Sequence, residues 1–144
     1  MRVERTVEIA APPERVYEVV MDPSRLGEWV TIHHRLEGTR PDRLERGSKM
    51  TQLLRLAGQR FKVRWTVVEN DPCKRVVWEG RGPVASHARV EYRFAQNGDA
   101  TTFRYINEYD LPGGPLGRLA GRTVSRIAAK ELNGSLQRLK SLVE

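Results

Sequence analysis

Two amides stand among apolar residues at two-residue spacing. Gln52 lies between Met50 and Leu54, and Asn107 lies between Tyr105 and Tyr109. A strand places alternate residues on one face, so each amide shares its face with hydrophobic neighbours. A buried amide without a partner costs about 1–3 kcal/mol, so each must bond something. That partner is either the polar end of a ligand or the protein itself, including backbone and water near the rim of a sheet. Tyr92, Tyr105 and Tyr109 add hydroxyls on the same pattern. These can polarise a carbonyl, and beside a charged partner they can act as general acids. No Asp or Glu falls in phase with this aromatic face on the two strands that carry it.

Other reactive side chains are sparse. The histidines are His33, His34 and His87, with no dense spacing to bind a metal. His33 and His34 follow Trp29 and can edge a pocket, whereas His87 shares an outward face with Arg89 and Glu91. The one cysteine, Cys73, follows Pro72 in a turn, with no histidine placed to activate it. No glycine-rich phosphate loop and no nucleophile elbow occur. No metal and no cofactor is therefore expected, and no catalytic residue is assigned.

The elements that must position these residues follow from periodicity. Residues 2–10 alternate as a strand, with Val3, Arg5, Val7 and Ile9 on one face. Ala11-Pro12-Pro13-Glu14 stops it and allows a helix to begin. Asp22 can cap a second, short helix that carries Leu26 and ends near Trp29. Six strands are then expected. One lies in 33–39, and a second opens at Gly47 with Met50, Gln52, Leu54 and Leu56 in phase. A turn at Gly58-Gln59 leads to Phe61, Val63, Trp65 and Val67, the cleanest alternation in the chain. Asn70-Asp71-Pro72 reads as a turn before Val76, Trp78 and Gly80. Ala88, Val90, Tyr92 and Phe94 follow, then an Asn97-Gly98 hairpin turn, then the strand of Tyr105, Asn107 and Tyr109.

After Pro112-Gly113-Gly114-Pro115, apolar residues recur at three- and four-residue steps from Leu116 to the end. This predicts an amphipathic helix of about seven turns. Hairpin-linked strands make an antiparallel sheet, and only this helix is long enough to cover the sheet's apolar face. A curved sheet gripping a helix leaves a space between them, a typical place for a pocket. The predicted lining is Trp29, Gln52, Leu54, Phe61, Val63, Trp65, Trp78, Val90, Tyr92, Tyr105, Asn107 and Tyr109 from the sheet side. Val124, Ile127 and Ala128 are expected from the helix.

The chain has 144 residues, a length for one domain spanning 1–144. Its charge is strongly basic: 25 Lys and Arg against 18 Asp and Glu, +7 in all, with 20 of the cations Arg. The cations are dispersed among acids, which speaks for a solvated surface over a nucleic-acid arm. One regular stripe, Arg118, Arg122, Arg126 and Lys130, runs along the helix at four-residue steps. It is a solvated face or a dock for RNA, anionic headgroups or an acidic protein. Gly113-Gly114 is a loop or a hinge for that helix. No stretch is long and apolar enough to span a bilayer. No secretory h-region follows Met1, so a cytoplasmic setting is expected.

The run Val7-Glu8-Ile9-Ala10-Ala11-Pro12-Pro13-Glu14-Arg15-Val16-Tyr17, then Asp22-Pro23-Ser24-Arg25-Leu26-Gly27-Glu28-Trp29, resembles the opening of the START-like, or SRPBCC, superfamily. The resemblance extends through the strand entry at Pro72–Glu79 to the closing helix, and is nearest to the polyketide cyclase/dehydrase and lipid-transport subgroup. It implies an α+β helix-grip fold: a curved antiparallel sheet of six to seven strands, two short helices after the first, and a long C-terminal helix across a cavity. It also implies binding of a small hydrophobic or amphipathic molecule such as a lipid, isoprenoid or polyketide-like compound. A cyclase/dehydratase-type enzyme is the alternative, and an RNA- or protein-docking module using the basic stripe is a second.

Overall fold

The structure, a computed structural model, describes residues 1–110 and 121–144, with side chains of the last helix from position 123 onward. Strand β1 (Arg2–Ile9) leads into helix α1 (Pro13–Val20), a single 3₁₀ turn (Pro23–Arg25) and the short helix α2 (Leu26–Trp29). Strands β2 (His33–Glu37), β3 (Lys49–Leu56), β4 (Gln59–Asp71), β5 (Arg75–Arg81), β6 (His87–Asn97) and β7 (Ala100–Asp110) follow. Helix α3 (Gly121–Val143) closes the fold.

The seven strands form one sheet in the order β1-β7-β6-β5-β4-β3-β2, every neighbour antiparallel. The chain's first strand thus pairs with its last. Bulges between Val67 and Glu69 in β4 and between His33 and Arg35 in β2 bend the sheet. The concave side is the apolar face that the alternation predicts, and α3 lies against it. This is the α+β helix-grip arrangement.

Local chemistry sets the early helices. Pro13 stands at the first helical position of α1, where its missing N–H costs nothing. Asp22 caps the 3₁₀ turn by accepting from the Ser24 N–H at 3.0 Å. The C-terminal end of α3 is pinned to the β1–α1 corner. Lys140 Nζ donates to the Glu8 carbonyl at 2.8 Å, and the Glu144 carboxylate accepts from the Ala10 N–H at 2.7 Å. In mid-helix, Ser135 Oγ accepts from the Thr31 N–H at 3.0 Å. Trp29, Phe103, Val16, Val20 and Leu139 are fully buried between these layers, each contributing roughly 1.5–3 kcal/mol by leaving water.

Three turns differ from the sequence reading. The β3–β4 loop is Ala57-Gly58, because Leu56 pairs with Gln59. Both loop residues have positive φ (53° and 75°), as a type I′ hairpin requires. The β6–β7 loop is Gly98-Asp99 between paired Asn97 and Ala100. Glycine takes the first loop position at φ 62°, the pattern of a II′ turn rather than an Asn-Gly one. Asn70 and Asp71 belong to β4 and pair with Val76 and Arg75. The bulge absorbs a residue and lengthens the strand, so the turn falls on Pro72–Lys74, with Cys73 left-handed (φ 63°). The predicted helix residues 116–120 and the Gly113-Gly114 pair lie outside the described residues.

Candidate functional site: a cavity between sheet and helix

One cross-strand row shapes the site. Tyr109, Ala88, Gly80, Trp65 and Met50 stand in register across β7, β6, β5, β4 and β3. Ala88 contributes almost no side chain and leaves a hollow in the sheet, while the space over Gly80 is taken by the Trp65 indole and Val63. Above the hollow Val124 of α3 forms part of the roof. The space is about 90 Å³. That admits one small ring, whereas sites for drug-sized ligands run to roughly 300–1,000 Å³.

Ten of the predicted residues line this cavity: Gln52, Leu54, Phe61, Val63, Trp65, Val90, Tyr105, Asn107, Tyr109 and Val124. Five lie elsewhere. Trp29 is fully buried at the closed end, edge-on to Tyr92 and Tyr105 with ring centroids 6.2 and 6.3 Å away. Tyr92 completes that cluster, 5.1 Å from Tyr105 and 5.6 Å from Phe103. Trp78 is buried in the sheet between its partners Val67 and Val90. Ala128 is buried and Ile127 half-buried on α3, and neither lines the cavity.

The lining also includes Val30, Ile32, Leu56, Gly82, Ser86, His87 and Ala88. Leu56 and Ala88 are in phase with the apolar strands, a signal that the chain itself carries. Val30 and Ile32 sit in an irregular connection, and Gly82 and Ser86 in a loop, where no period operates. His87 is exposed, as its outward phase predicts, and still reaches the rim.

The polar groups divide into satisfied and unsatisfied. Gln52 is fully committed to the protein. Its Oε1 accepts from Trp65 Nε1–H at 2.8 Å, and its Nε2 meets His33 Nδ1 at 2.8 Å. Because the indole can only donate, the amide's orientation is settled. Nε2 then donates, and His33 must accept on Nδ1 and carry its proton on Nε2. Burial, then the neighbouring His34, pushes the His33 pKa down, which favours this neutral ring. By contrast, the Tyr109 hydroxyl is buried and has no hydrogen-bond partner among the described residues. Asn107 lines the cavity beside it, half-buried. Burial pushes Tyr109 up to about 12 and raises Tyr105 and Tyr92 further. All three therefore hold their protons at neutral pH and serve as hydrogen-bonding groups, not bases.

The remaining candidates are peripheral. Burial, then Glu14, raises the Cys73 thiol, which keeps it protonated. Among the described residues no three His, Cys, Asp or Glu side chains gather to hold a metal ion. Of the predicted basic stripe, the side chains of Arg118 and Arg122 lie outside the described residues, and Arg126 and Lys130 are exposed. No described helix is long and apolar enough to cross a membrane.

A family model described as polyketide cyclase / dehydrase and lipid transport matches residues 1–144. The uncharacterized protein Rv1546 of Mycobacterium tuberculosis is 30% identical over 132 residues, covering 90% of this chain and 92% of its own. The structure of TTHA0849 from Thermus thermophilus superposes with a TM-score of 0.82 at 20% identity, covering 99% of this chain and 97% of that one. A START superfamily protein from Mycobacterium smegmatis superposes with a TM-score of 0.75 at 19% identity, covering 99% and 96%.

Proposed function

This chain belongs to the polyketide cyclase / dehydrase and lipid transport family, and we propose that it binds a small hydrophobic molecule bearing one hydrogen-bonding oxygen in the cavity under α3. The observation that carries this reading is the buried Tyr109 hydroxyl, without a partner among the described residues, on the wall of an otherwise mostly apolar space. A buried polar group without a partner costs about 1–3 kcal/mol, and a ligand carbonyl or hydroxyl would relieve that cost. Asn107 is the second group able to hold such an oxygen. Leu54, Phe61 and Val63 would take the apolar part, at roughly 0.8 kcal/mol for each buried CH₂.

The volume of about 90 Å³ favours a ring or a short branched group over an extended acyl chain. A lipid or isoprenoid tail would need the cavity to widen, whereas one ring of an aromatic polyketide-like compound would enter as it stands. Binding is favoured over cyclase-type turnover because the described lining carries no carboxylate and its tyrosines keep their protons.

The test is native mass spectrometry of the protein as purified, followed by titration with phenol and 2-naphthol while tryptophan emission is read. The expected result is saturable one-to-one binding that Trp65→Arg and Asn107→Leu abolish. No adduct and no saturable response to either probe would overturn the reading.

A further inference from the structure

The cations of the outer sheet face are of two kinds. Some are paired: Arg104 and Arg2 with Glu4, Arg93 with Glu91, and Arg75 of β5 with Glu91 and Glu69. Around the β3–β4 hairpin and the end of β5 most are not, Lys62 excepted. Arg60, Lys62 and Arg64 alternate along the outer face of β4, roughly 6.6–6.8 Å apart at the rise of a strand. Arg64 stands directly opposite Arg81, and Arg60 opposite Arg55. Like charges in directly opposed positions are destabilising. Two acids border the cluster: Glu37 is taken by Lys62 at 2.8 Å and Arg35 at 3.3 Å, and Glu79, which shares a hollow with Arg64 and Arg81, lies 3.8 Å from Arg89. Among the described residues, Arg60, Arg64 and Arg81 form no ion pair.

Beside this cluster the β5–β6 loop projects an apolar tip. The Gly82 N–H donates to the Ser86 carbonyl at 3.0 Å. The Ser86 N–H and hydroxyl both donate to the Pro83 carbonyl, at 3.1 and 2.6 Å. The turn so closed holds Val84 outward at 62% exposure; Met1 is the other large hydrophobic exposed among the described residues. Arg60, Lys62, Arg64, Arg81 and Pro83 share the wall of one surface hollow, so cations and tip are contiguous. Gly82 and Ser86 also line the internal cavity.

We propose that this face docks on an anionic lipid surface, with Arg60, Lys62, Arg64 and Arg81 on the headgroups and Val84 entering the interface. Basic residues around an apolar tip are the chemistry of interfacial binding. Among the described residues no Phe, Tyr or Trp is exposed, so the aromatic platforms that hold single-stranded nucleic acid are not found there. The site is separate from the cavity's polar wall, yet it borders the loop that lines the cavity. A molecule leaving the cavity beside Gly82 would meet the lipid phase directly.

The experiment is co-sedimentation of the full chain with vesicles of phosphatidylcholine alone or mixed with phosphatidylglycerol, at low and high salt, with single-stranded RNA as competitor. Binding is expected to require phosphatidylglycerol and to fall at high salt. Each charge lost should lower partitioning about fivefold, so Arg60→Gln with Arg64→Gln should lower it on the order of 25-fold. Val84→Asn, which suits a left-handed backbone, should also weaken binding, while Arg126→Gln on α3 should not. Thermal melting should show both sheet variants folded, and Arg64→Gln should not lower the melting point because it removes a facing like charge. Equal binding to both vesicles, an unchanged double variant, or tight RNA binding that displaces the vesicles would each overturn the proposal. Retained naphthol binding in the same samples would show that the cavity reading stands independently.

Discussion

The indole of Trp65 occupies the space that a side chain on Gly80 would need. A Cβ at Gly80 would come within 2.7 Å of Trp65 Cε3, Trp65 Cζ3 and Val63 Cγ1. The two residues face each other across β4 and β5. Gly80 therefore lets the largest ring of the cavity wall lie flat on the sheet. Gly80→Ala forces Trp65 and Val63 to move, and overpacking of this kind costs about 1–3 kcal/mol. Denaturant unfolding should show a lower midpoint with an unchanged slope. A variant as stable as the parent would mean that the indole moves freely.

Gln52 joins two residues that no local pattern connects, Trp65 and His33. Gln52→Leu fits an apolar wall by size but leaves the buried indole N–H without an acceptor. The expected loss is about 1–3 kcal/mol, read by chemical denaturation, with a shift in tryptophan emission. Gln52→Glu keeps the acceptor for Trp65 and should lose less at a pH where His33 is protonated.

The same relay makes stability depend on pH. The folded pKa of His33 is lowered from its ordinary value of 6.5. The unfolded chain therefore binds the proton first as pH falls, and folding loses stability. The stabilising contribution is complete above about 6.5 and is lost as pH falls through the depressed value. Glu4, Glu37 and Glu144 are lowered from 4.5, so their losses begin only near that pH. The interval between 6.5 and 4.5 belongs to His33 among these groups. Melting temperature should decline across it, and His33→Asn should flatten the decline.

Tyr109→Phe removes a buried hydroxyl that has no partner among the described residues. Unlike most large-residue changes in a core, it should leave the unliganded protein as stable or more stable, by on the order of 1 kcal/mol. The same change should weaken binding of phenol or 2-naphthol. A loss of stability with unchanged probe binding would mean that the hydroxyl serves the fold and not a ligand.

Much of the architecture was legible along the chain. The two-residue alternation from Phe61 to Val67 and from Ala88 to Phe94 assigns one face to the core, because successive strand residues point to opposite sides. The three- and four-residue steps from Val124 to Val143 mark the helix that covers it. Turn positions were less legible. Ala57, the first residue of a I′ loop, is a type that local rules do not place at positive φ. Its conformation is imposed by the pairing of Leu56 with Gln59.

The candidate site was legible by face and not by depth. Phase alone put Trp78 and Tyr92 with Trp65 and Tyr105, since all four point inward. Which of them meets empty space depends on what stands opposite. Trp29 and Phe103 pack around Tyr92, whereas Ala88 leaves the hollow beside Tyr109, and Gly80 lets Trp65 lie flat along its wall. The order of elements, the inward face of each strand and the helix that must cover them follow from local periodicity along the chain. The place of the cavity, the claim of His33 and Trp65 on both ends of Gln52, and the facing of Arg64 and Arg81 arise only when the strands pair and the helix packs. Those relations join residues that sheet register and helix placement bring together, and no spacing along the chain encodes either one.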